Sequence, residues 1–246
     1  VSSAFISANP ARPVSLTLKA ARNITLTNST IESLGSPLSV SFDAATGSTG
    51  FGRIVIENSA ITTAGGNVSL GGGARAQGPN ITSPRAGAVG YSVEGEPAVG
   101  VLIDTARIDA GSGNISIVGQ AVTGGGGGYG VLITSSPFAN FGTRLAGRDI
   151  DIWGWVDSND AAPRFGVYLS GGQIQATHGL TLTGIANSGI YRSDAELPVA
   201  PVGVVIEAGA IEVAPPVADA TAYLRIDGTV NDAAPAGAPD GDLRLG

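Results

Sequence analysis

A spacing of five residues, repeated six times between two apolar patterns, constrains the fold of this chain more than any other feature. The first of these is the glycine pattern, a short apolar segment usually opened by Gly, such as GVLI at 100–103 and 130–133. The second is the single-residue pattern, one apolar residue that follows. The steps run from Leu26 to Ile31, Ile56 to Ile61, Ile103 to Ile108, Ile133 to Phe138, Leu169 to Ile174 and Ile206 to Ile211. Two residues an even number of positions apart lie on the same face of a straight strand, whereas two residues five positions apart lie on opposite faces. For both to point into the core, the chain must bend between them, so the step of five predicts a bend.

A third feature, the strand pattern, consists of segments in which every second residue is apolar. Its members are VSLTL (14–18), LSVSF (38–42), NVSL (67–70), NISI (114–117), DIDI (149–152), GLTL (179–182) and YLRI (223–226). Alternation predicts strands with one apolar face and one face of Ser, Thr or Asp. No helical pattern separates these strands, which argues against a βαβ arrangement.

The three patterns recur in a fixed order and predict an all-β chain, a right-handed parallel β-helix of about six to seven triangular coils. Stacked coils would place each apolar residue next to the equivalent residue of the neighbouring coil, and the resulting apolar column could not be buried by one coil alone. Residues 1–230 are predicted to be one segment, with coils that start near 14, 38, 67, 114, 149, 180 and 222. The Pro- and Gly-rich acidic tail at 231–246 is expected to be a cap or a linker to further shaft.

Insertions are concentrated at one corner of the predicted coil. The distance from the strand pattern to the glycine pattern varies from 6 residues between Leu18 and Ile24 to 31 between Leu70 and Val101. Insertions on one side of a solenoid build a ridge, which in repeat proteins is often the binding face. Tolerated loop drift is the alternative, because long surface insertions cost little free energy.

Composition excludes several classes of function. The chain has no Cys, which excludes disulfides and thiolate metal sites, and it has no apolar run long enough to span a membrane. Its net charge of −7, with no basic stripe, argues against nucleic-acid binding and disfavours an acidic substrate. We expect no cofactor and no metal. The segment GGGGG at 124–128 lacks the Lys and the helix of a phosphate-binding loop.

The segments ITLTNSTIESLG (24–35), ITTAGGNVSLGG (61–72) and IDAGSGNISIVG (108–119) resemble the β-helix repeats of filamentous haemagglutinin-like exoproteins of two-partner secretion, the TpsA-type adhesins. The resemblance extends by pattern over 14–230. It implies a shaft that is secreted through an outer-membrane transporter to the bacterial cell surface. Such a shaft works in adhesion or in delivery of a toxin tip, and its partners are glycan or protein receptors on host or bacterial cells. The large insertions, and the lack of a recognisable secretion or toxin domain, depart from the family pattern.

A polysaccharide-active enzyme, such as a lyase or a tailspike-type depolymerase, is the alternative function. It would need paired carboxylates and a basic residue on one face, for which Asp149, Asp151 and Arg164 are the candidates. A polar strand face is the simpler explanation of the two aspartates. The single histidine, His178, is expected at a corner in a structural role, and no G-x-S-x-G motif supports a nucleophile triad. We therefore expect a non-catalytic protein.

Candidate ligand-binding residues are mainly aromatic. Strict alternation directs Trp153 and Trp155 away from the main core, where exposed rings could stack on sugars or anchor a partner. The alternative is that the following loop folds over them as a satellite core. The full set of ligand candidates is Trp153, Trp155, Asp157, Asp160, Tyr91 and Tyr129, with Tyr191 as a further insertion aromatic and Asn80 as a weak glycosylation candidate.

Overall fold

The structure is a computed structural model of the chain. It describes residues 1–46, 50–73, 83, 85–91, 97–123, 127–136, 142–158, 163–188, 201–215, 221–232 and 243–245. These residues contain strands and no helix, and they form one sheet of thirteen strands and one of seven.

The strands belong to three parallel ladders, one for each sequence pattern. The first ladder contains β2 (Val14–Lys19), β5 (Leu38–Ala44), β8 (Val68–Gly72), β12 (Ile115–Thr123), the later parts of β14 (Arg144–Ser158) and β16 (Gln173–Ser188), and β19 (Tyr223–Asp232). The second ladder, which is the seven-stranded sheet, contains β3 (Ile24–Thr27), β6 (Ile54–Glu57), β10 (Ala98–Asp104), β13 (Gly128–Thr134), β15 (Arg164–Ser170), β17 (Val202–Glu207) and β20 (Leu243–Leu245). The third ladder contains β1 (Phe5–Ala8), β4 (Thr30–Ser33), β7 (Ala60–Thr62), β11 (Arg107–Asp109), the early parts of β14 and β16, and β18 (Ala210–Val213). A further strand, β9 (Ala88–Tyr91), pairs with β12.

Within each ladder, every strand pairs in parallel with the equivalent strand of the preceding repeat. The registers stack the apolar positions, as in the series Ile31, Ile61, Ile108, Leu145 and Ile174 of the third ladder. The main core is built from these series in all three ladders. The predicted alternation of an apolar inner face with a polar outer face is therefore confirmed for the first ladder, where β5 alternates buried and half-buried positions along its length.

The bend predicted from the five-residue step is also present, and its cause is a residue with left-handed backbone geometry. Asn28, Asn58 and Thr105 end their second-ladder strands with φ angles of 48°, 47° and 49°. A single residue in this region turns the chain sharply, and Asn tolerates it better than most residues. Buried serines follow two of these bends: the Ser29 amide donates to the Ser59 hydroxyl of the next repeat over 3.0 Å. The corner is thereby hydrogen-bonded from repeat to repeat.

One of the six predicted steps is wrong. The residue that pairs with Ile108 is Leu145 and not Phe138, because an insertion separates β13 from β14 in that repeat. Phe138 lies outside the described residues.

A row of close backbone contacts, the glycine seam, joins the first ladder to the second. It is formed by Gly119, Gly154 and Gly184 of the first ladder against Gly130, Gly166 and Gly203 of the second. A Cβ added at Gly154 would lie 1.9 Å from the Gly166 carbonyl oxygen, and one at Gly184 would lie 1.7 Å from that of Gly203. Only glycine permits two backbones to approach so closely. The glycines of the glycine pattern thus mark the contact between the sheets.

Both sheets continue beyond the glycine seam, into residues that sequence analysis assigned to insertions. The strands β12, β14 and β16 extend to Thr123, Ser158 and Ser188. A small cluster of Ala98, Ala121, Val156 and Ala186 packs together there. In the tail, Leu243–Leu245 pairs with β17 and adds a strand to the second ladder.

Candidate ligand-binding face

The outward face of the second ladder carries apolar side chains where the first ladder carries polar ones. Register places Val55, Leu102, Leu132, Tyr168 and Val205 side by side, and we call this series the outer row. The residues before them, such as Val101 and Val131, point into the main core. Leu102, Leu132 and Tyr168 keep part of their surface accessible to solvent. The inner face of the second ladder is therefore apolar, and the outer row adds apolar side chains to an outer face that also carries Thr25, Glu57 and Asp104.

Three aromatic side chains, the aromatic cluster, lie beside and within the outer row, to which Tyr168 belongs. Phe165 is 7% exposed and forms the buried side of this cluster, whereas Tyr129 and Tyr168 are only partly buried. The rings of Tyr129 and Phe165 are stacked with centroids 5.4 Å apart, and Tyr168 meets Tyr129 edge-on at 5.5 Å. The Phe165 and Tyr168 centroids are 4.9 Å apart. These separations lie in the range in which aromatic pairs attract each other. The β-strands hold the cluster on a rigid surface.

A carboxylate adjoins the aromatic cluster. The Tyr168 hydroxyl donates a hydrogen bond of 2.6 Å to Oε2 of Glu207, and this bond, together with burial, raises the pKa of Tyr168 to about 12. Burial is the main cause that raises the pKa of Tyr129, with a contribution from the Glu207 charge. Both phenols are therefore protonated at neutral pH and can donate hydrogen bonds.

A groove of about 630 Å³ lies beside the outer row, and Leu102 and Leu132 line it. Phe51 and Tyr91 form an aromatic pair along this groove, with ring centroids 5.0 Å apart. The side chain of Tyr91 is 55% exposed. The outer row thus connects the groove to the aromatic cluster, and together they present exposed rings, apolar surface and hydrogen-bonding groups.

This face contains two of the residues chosen from sequence, Tyr91 and Tyr129. Sequence reasoning missed Phe165, Tyr168 and Glu207. A signal existed for Tyr168, because the third residue of the glycine pattern is apolar in GVLI, GVYL and GVVI, where a strand with one solvated face would carry a polar residue. No such signal marked Phe165 or Glu207.

Trp153 and Trp155 do not form an exposed surface. They are 4% and 1% exposed and pack with Val89 and Val122 in a cluster separate from the main core. The Arg85 guanidinium lies 5.5 Å from the centre of the Trp153 ring. The expectation of solvent-facing rings is therefore wrong, and the satellite core is what the structure shows. Side chains from the insertions bury the two indole rings, and alternation within one strand does not predict this burial.

Asp157, one of the ligand candidates chosen from sequence, lies in β14 and is fully buried. Arg164 and Asn187 are also buried beyond the glycine seam. Burial removes Asp157 from the residues that a ligand could contact on the surface. Asp160, Asn80 and Tyr191 lie outside the described residues.

The residues considered for polysaccharide cleavage do not converge. Asp149 and Asp151 lie on the outward face of β14, and Asp151 is paired with Arg85 at 3.5 Å. Arg164 is buried on β15, in the other sheet. Arg164 is therefore not beside the two carboxylates, whose basic neighbours are instead Arg85, Arg148 and His178.

His178 joins three successive repeats at the corner between the third and first ladders. Its Nδ1 lies 2.5 Å from Oδ1 of Asp149, and its Nε2 lies 3.2 Å from Oγ1 of Thr221. Asp149 also accepts a 2.8 Å hydrogen bond from Arg148. The order of carboxylate, imidazole and hydroxyl matches that of a nucleophile triad, but a triad also needs donors aimed at a developing oxyanion. The contacts of His178 fit a clamp between repeats.

Within the part of the chain that the structure describes, no helix has the length and apolar character to cross a membrane. The same residues contain no group of three or more His, Cys, Asp or Glu side chains placed to hold a metal ion. Comparisons of the chain with protein-family models, with curated proteins and with solved structures give no match.

Proposed function

We propose that this chain is a section of a right-handed parallel β-helix that serves as the non-catalytic shaft of a secreted bacterial adhesin, and that its second ladder bears the binding surface. The observation that carries this proposal is the apolar outer row, with its aromatic cluster, on a sheet of regularly stacked strands.

The order of the ladders supports the solenoid. The chain passes from the first ladder to the second and then to the third before it returns to the first, as in β2, β3, β4 and β5. Each return adds one strand to every ladder. Connections between parallel strands of one sheet are right-handed in nearly all proteins, which sets the proposed hand of the coil.

The chemistry of the outer face supports binding. In the outer row Leu102, Leu132 and Tyr168 are partly exposed, whereas Val55 and Val205 are buried. Partly exposed apolar side chains that lie side by side often mark interaction sites. Tyrosine rings bring a large contact area and a polar end, and they are common in such sites. A cell-surface glycan or protein is the partner that this surface fits best.

The location and the export route are proposed from the resemblance to filamentous haemagglutinin-like exoproteins. A shaft of this kind crosses the outer membrane through a dedicated transporter and remains at the cell surface. A chain without Cys is suited to that passage, because it cannot form disulfides before export.

The test is attachment of fluorescent beads that carry the purified chain to panels of epithelial and bacterial cells. Beads with the wild-type chain should attach, and replacement of both Tyr129 and Tyr168 by Ala should reduce attachment about tenfold or more, because hot-spot aromatic residues carry much of an interface's free energy. Tyr223→Ala removes an exposed tyrosine on the other sheet and serves as the matched control.

Far-UV circular dichroism and thermal unfolding must show that each variant is folded. Failure of wild-type beads to attach to any cell type, or equal attachment of the double variant and the Tyr223→Ala control, would contradict the proposal.

A further inference from the structure

A second groove, of about 890 Å³, lies at the corner between the second and third ladders. We call it the corner groove. Its lining includes Arg107, Arg144, Ser135 and Gln173. Small residues such as Gly172 complete the described part of the wall. The volume lies in the range of small-molecule sites, and small wall residues leave space for a ring.

Two arginines stand next to each other in this groove. Arg107 and Arg144 are register partners on the parallel strands β11 and β14, so their backbones are about 4.8 Å apart. Their side chains are 52% and 33% exposed. Both side chains line the groove and keep part of their surface accessible, while their guanidinium nitrogens contact Asp109 and Gln175, which lie outside the described lining.

The two arginines share one direct carboxylate partner. Asp109 lies 3.5 Å from Nη2 of Arg107 and 4.0 Å from Nη1 of Arg144, while Glu212 is linked to Arg144 only through Gln175. No acidic residue is among the described residues that line the groove. On a chain with a net charge of −7, two adjacent arginines without a lining carboxylate are a local exception.

Arg144 is held in place by a chain of hydrogen bonds across the third ladder. Its Nη2 donates to Oε1 of Gln175 over 2.7 Å, and Nε2 of Gln175 donates to Glu212 over 3.1 Å. A guanidinium that is already oriented loses less entropy when it binds an anion. The fork geometry of arginine is suited to a planar carboxylate.

We infer that the corner groove binds a saccharide bearing a single carboxylate, a sugar acid, through Arg107 and Arg144. The polar side chains of Ser135 and Gln173 are placed to contact its hydroxyl groups. A polyanion is disfavoured, because Asp109 and the acidic surface would repel its further charges. The site extends the proposed adhesive function to a second surface that is independent of the aromatic cluster.

The experiment is titration of the whole chain with methyl glucuronide and, in parallel, with methyl glucoside, which lacks the carboxylate. Binding is followed by saturation-transfer NMR and calorimetry. The glucuronide should bind and the glucoside should bind at least about tenfold more weakly, since the charged hydrogen bonds are lost. Arg107→Gln should weaken glucuronide binding by a similar factor, whereas Arg225→Gln, at an exposed arginine of β19, should leave it unchanged.

Arg107 is half exposed, so Arg107→Gln should leave thermal unfolding unchanged. Arg144→Gln is the second variant, and Arg107→Gln decides the test if Arg144→Gln does not fold. Equal affinity for the two sugars, no binding of the glucuronide, or full affinity in Arg107→Gln would overturn the inference. Tighter binding of a heparin-like polyanion than of the single sugar acid would overturn it as well. Bead attachment through the aromatic cluster is measured separately, so failure here is distinguishable from failure of the proposed function.

Discussion

The phenol of Tyr168 is a donor whose ionisation would place a second negative charge beside Glu207. Its pKa is about 12 in the folded chain, above the ordinary value of 10.0. A raised pKa means that folding favours the protonated phenol. The stabilisation is therefore complete below pH 10 and is lost as the pH rises through about 12.

We predict that the free energy of unfolding falls from pH 10 to pH 12 in the wild-type chain, and falls less steeply in Tyr168→Phe. Denaturant titrations at a series of pH values measure this, and ultraviolet absorbance follows phenolate formation. Some slope should remain in the variant, because the pKa of Tyr129 is raised too. Identical slopes in the two proteins would show that Tyr168 is not the responsible group.

At the residue scale, the sequence identified part of the candidate ligand-binding face. Tyr91 and Tyr129 were chosen because they are aromatic and lie in insertions. The structure places Tyr129 on the second ladder, and Tyr91 on β9, across the groove that Leu102 and Leu132 line. The satellite core around Trp155 depends on residues distant in sequence, such as Ala45 and Val89. Alternation within one strand carries no information about which distant segment covers it.

At the element scale, the five-residue step predicted the bend correctly. The reason is that the bend depends only on the directions of side chains that are close in sequence. The step to Phe138 was wrong, because an apolar residue happens to occupy the expected position inside an insertion, and the strand resumes at Arg144. The glycine seam was not predicted. The sequence shows the recurrent glycine of GVLI, but only the packing of two sheets shows what each glycine contacts.

We predict that Gly184→Ala lowers the free energy of unfolding by about 3 kcal/mol or more, because the new methyl group would meet the rigid backbone of β17. Gly73→Ala is the matched control: a Cβ there has no atom within 4 Å, and its effect should stay within about 0.5 kcal/mol. Urea unfolding of the two variants measures the difference. Equal stability of the two variants would exclude a close contact between the sheets at this point.

At the scale of the whole molecule, stability should depend on where along the stack a core residue lies. Ile108 is fully buried between Ile61 and Leu145, whereas Ile211 is half-buried and pairs with Ile174. In a solenoid each repeat gains stability from its neighbours, so a position with neighbours on both sides contributes more.

We predict that Ile108→Ala lowers the free energy of unfolding by about 3–4 kcal/mol and Ile211→Ala by about 1 kcal/mol. Both are measured by urea denaturation of the complete chain. Equal losses at the two positions would argue against coupling between neighbouring repeats. A lower denaturant slope in either variant would indicate that part of the stack unfolds separately.

The glycine seam also separates the strands that surround the main core from the segments whose length varies from one repeat to the next. On one side of it, the apolar positions of successive strands are stacked in register around the main core. On the other side, the number of residues ranges widely while the second ladder always begins again in register. New segments can therefore be grafted beyond Gly154 or Gly184 without disturbing the interior. The segments beyond the glycine seam can therefore vary in length and sequence while the three ladders of stacked strands stay the same.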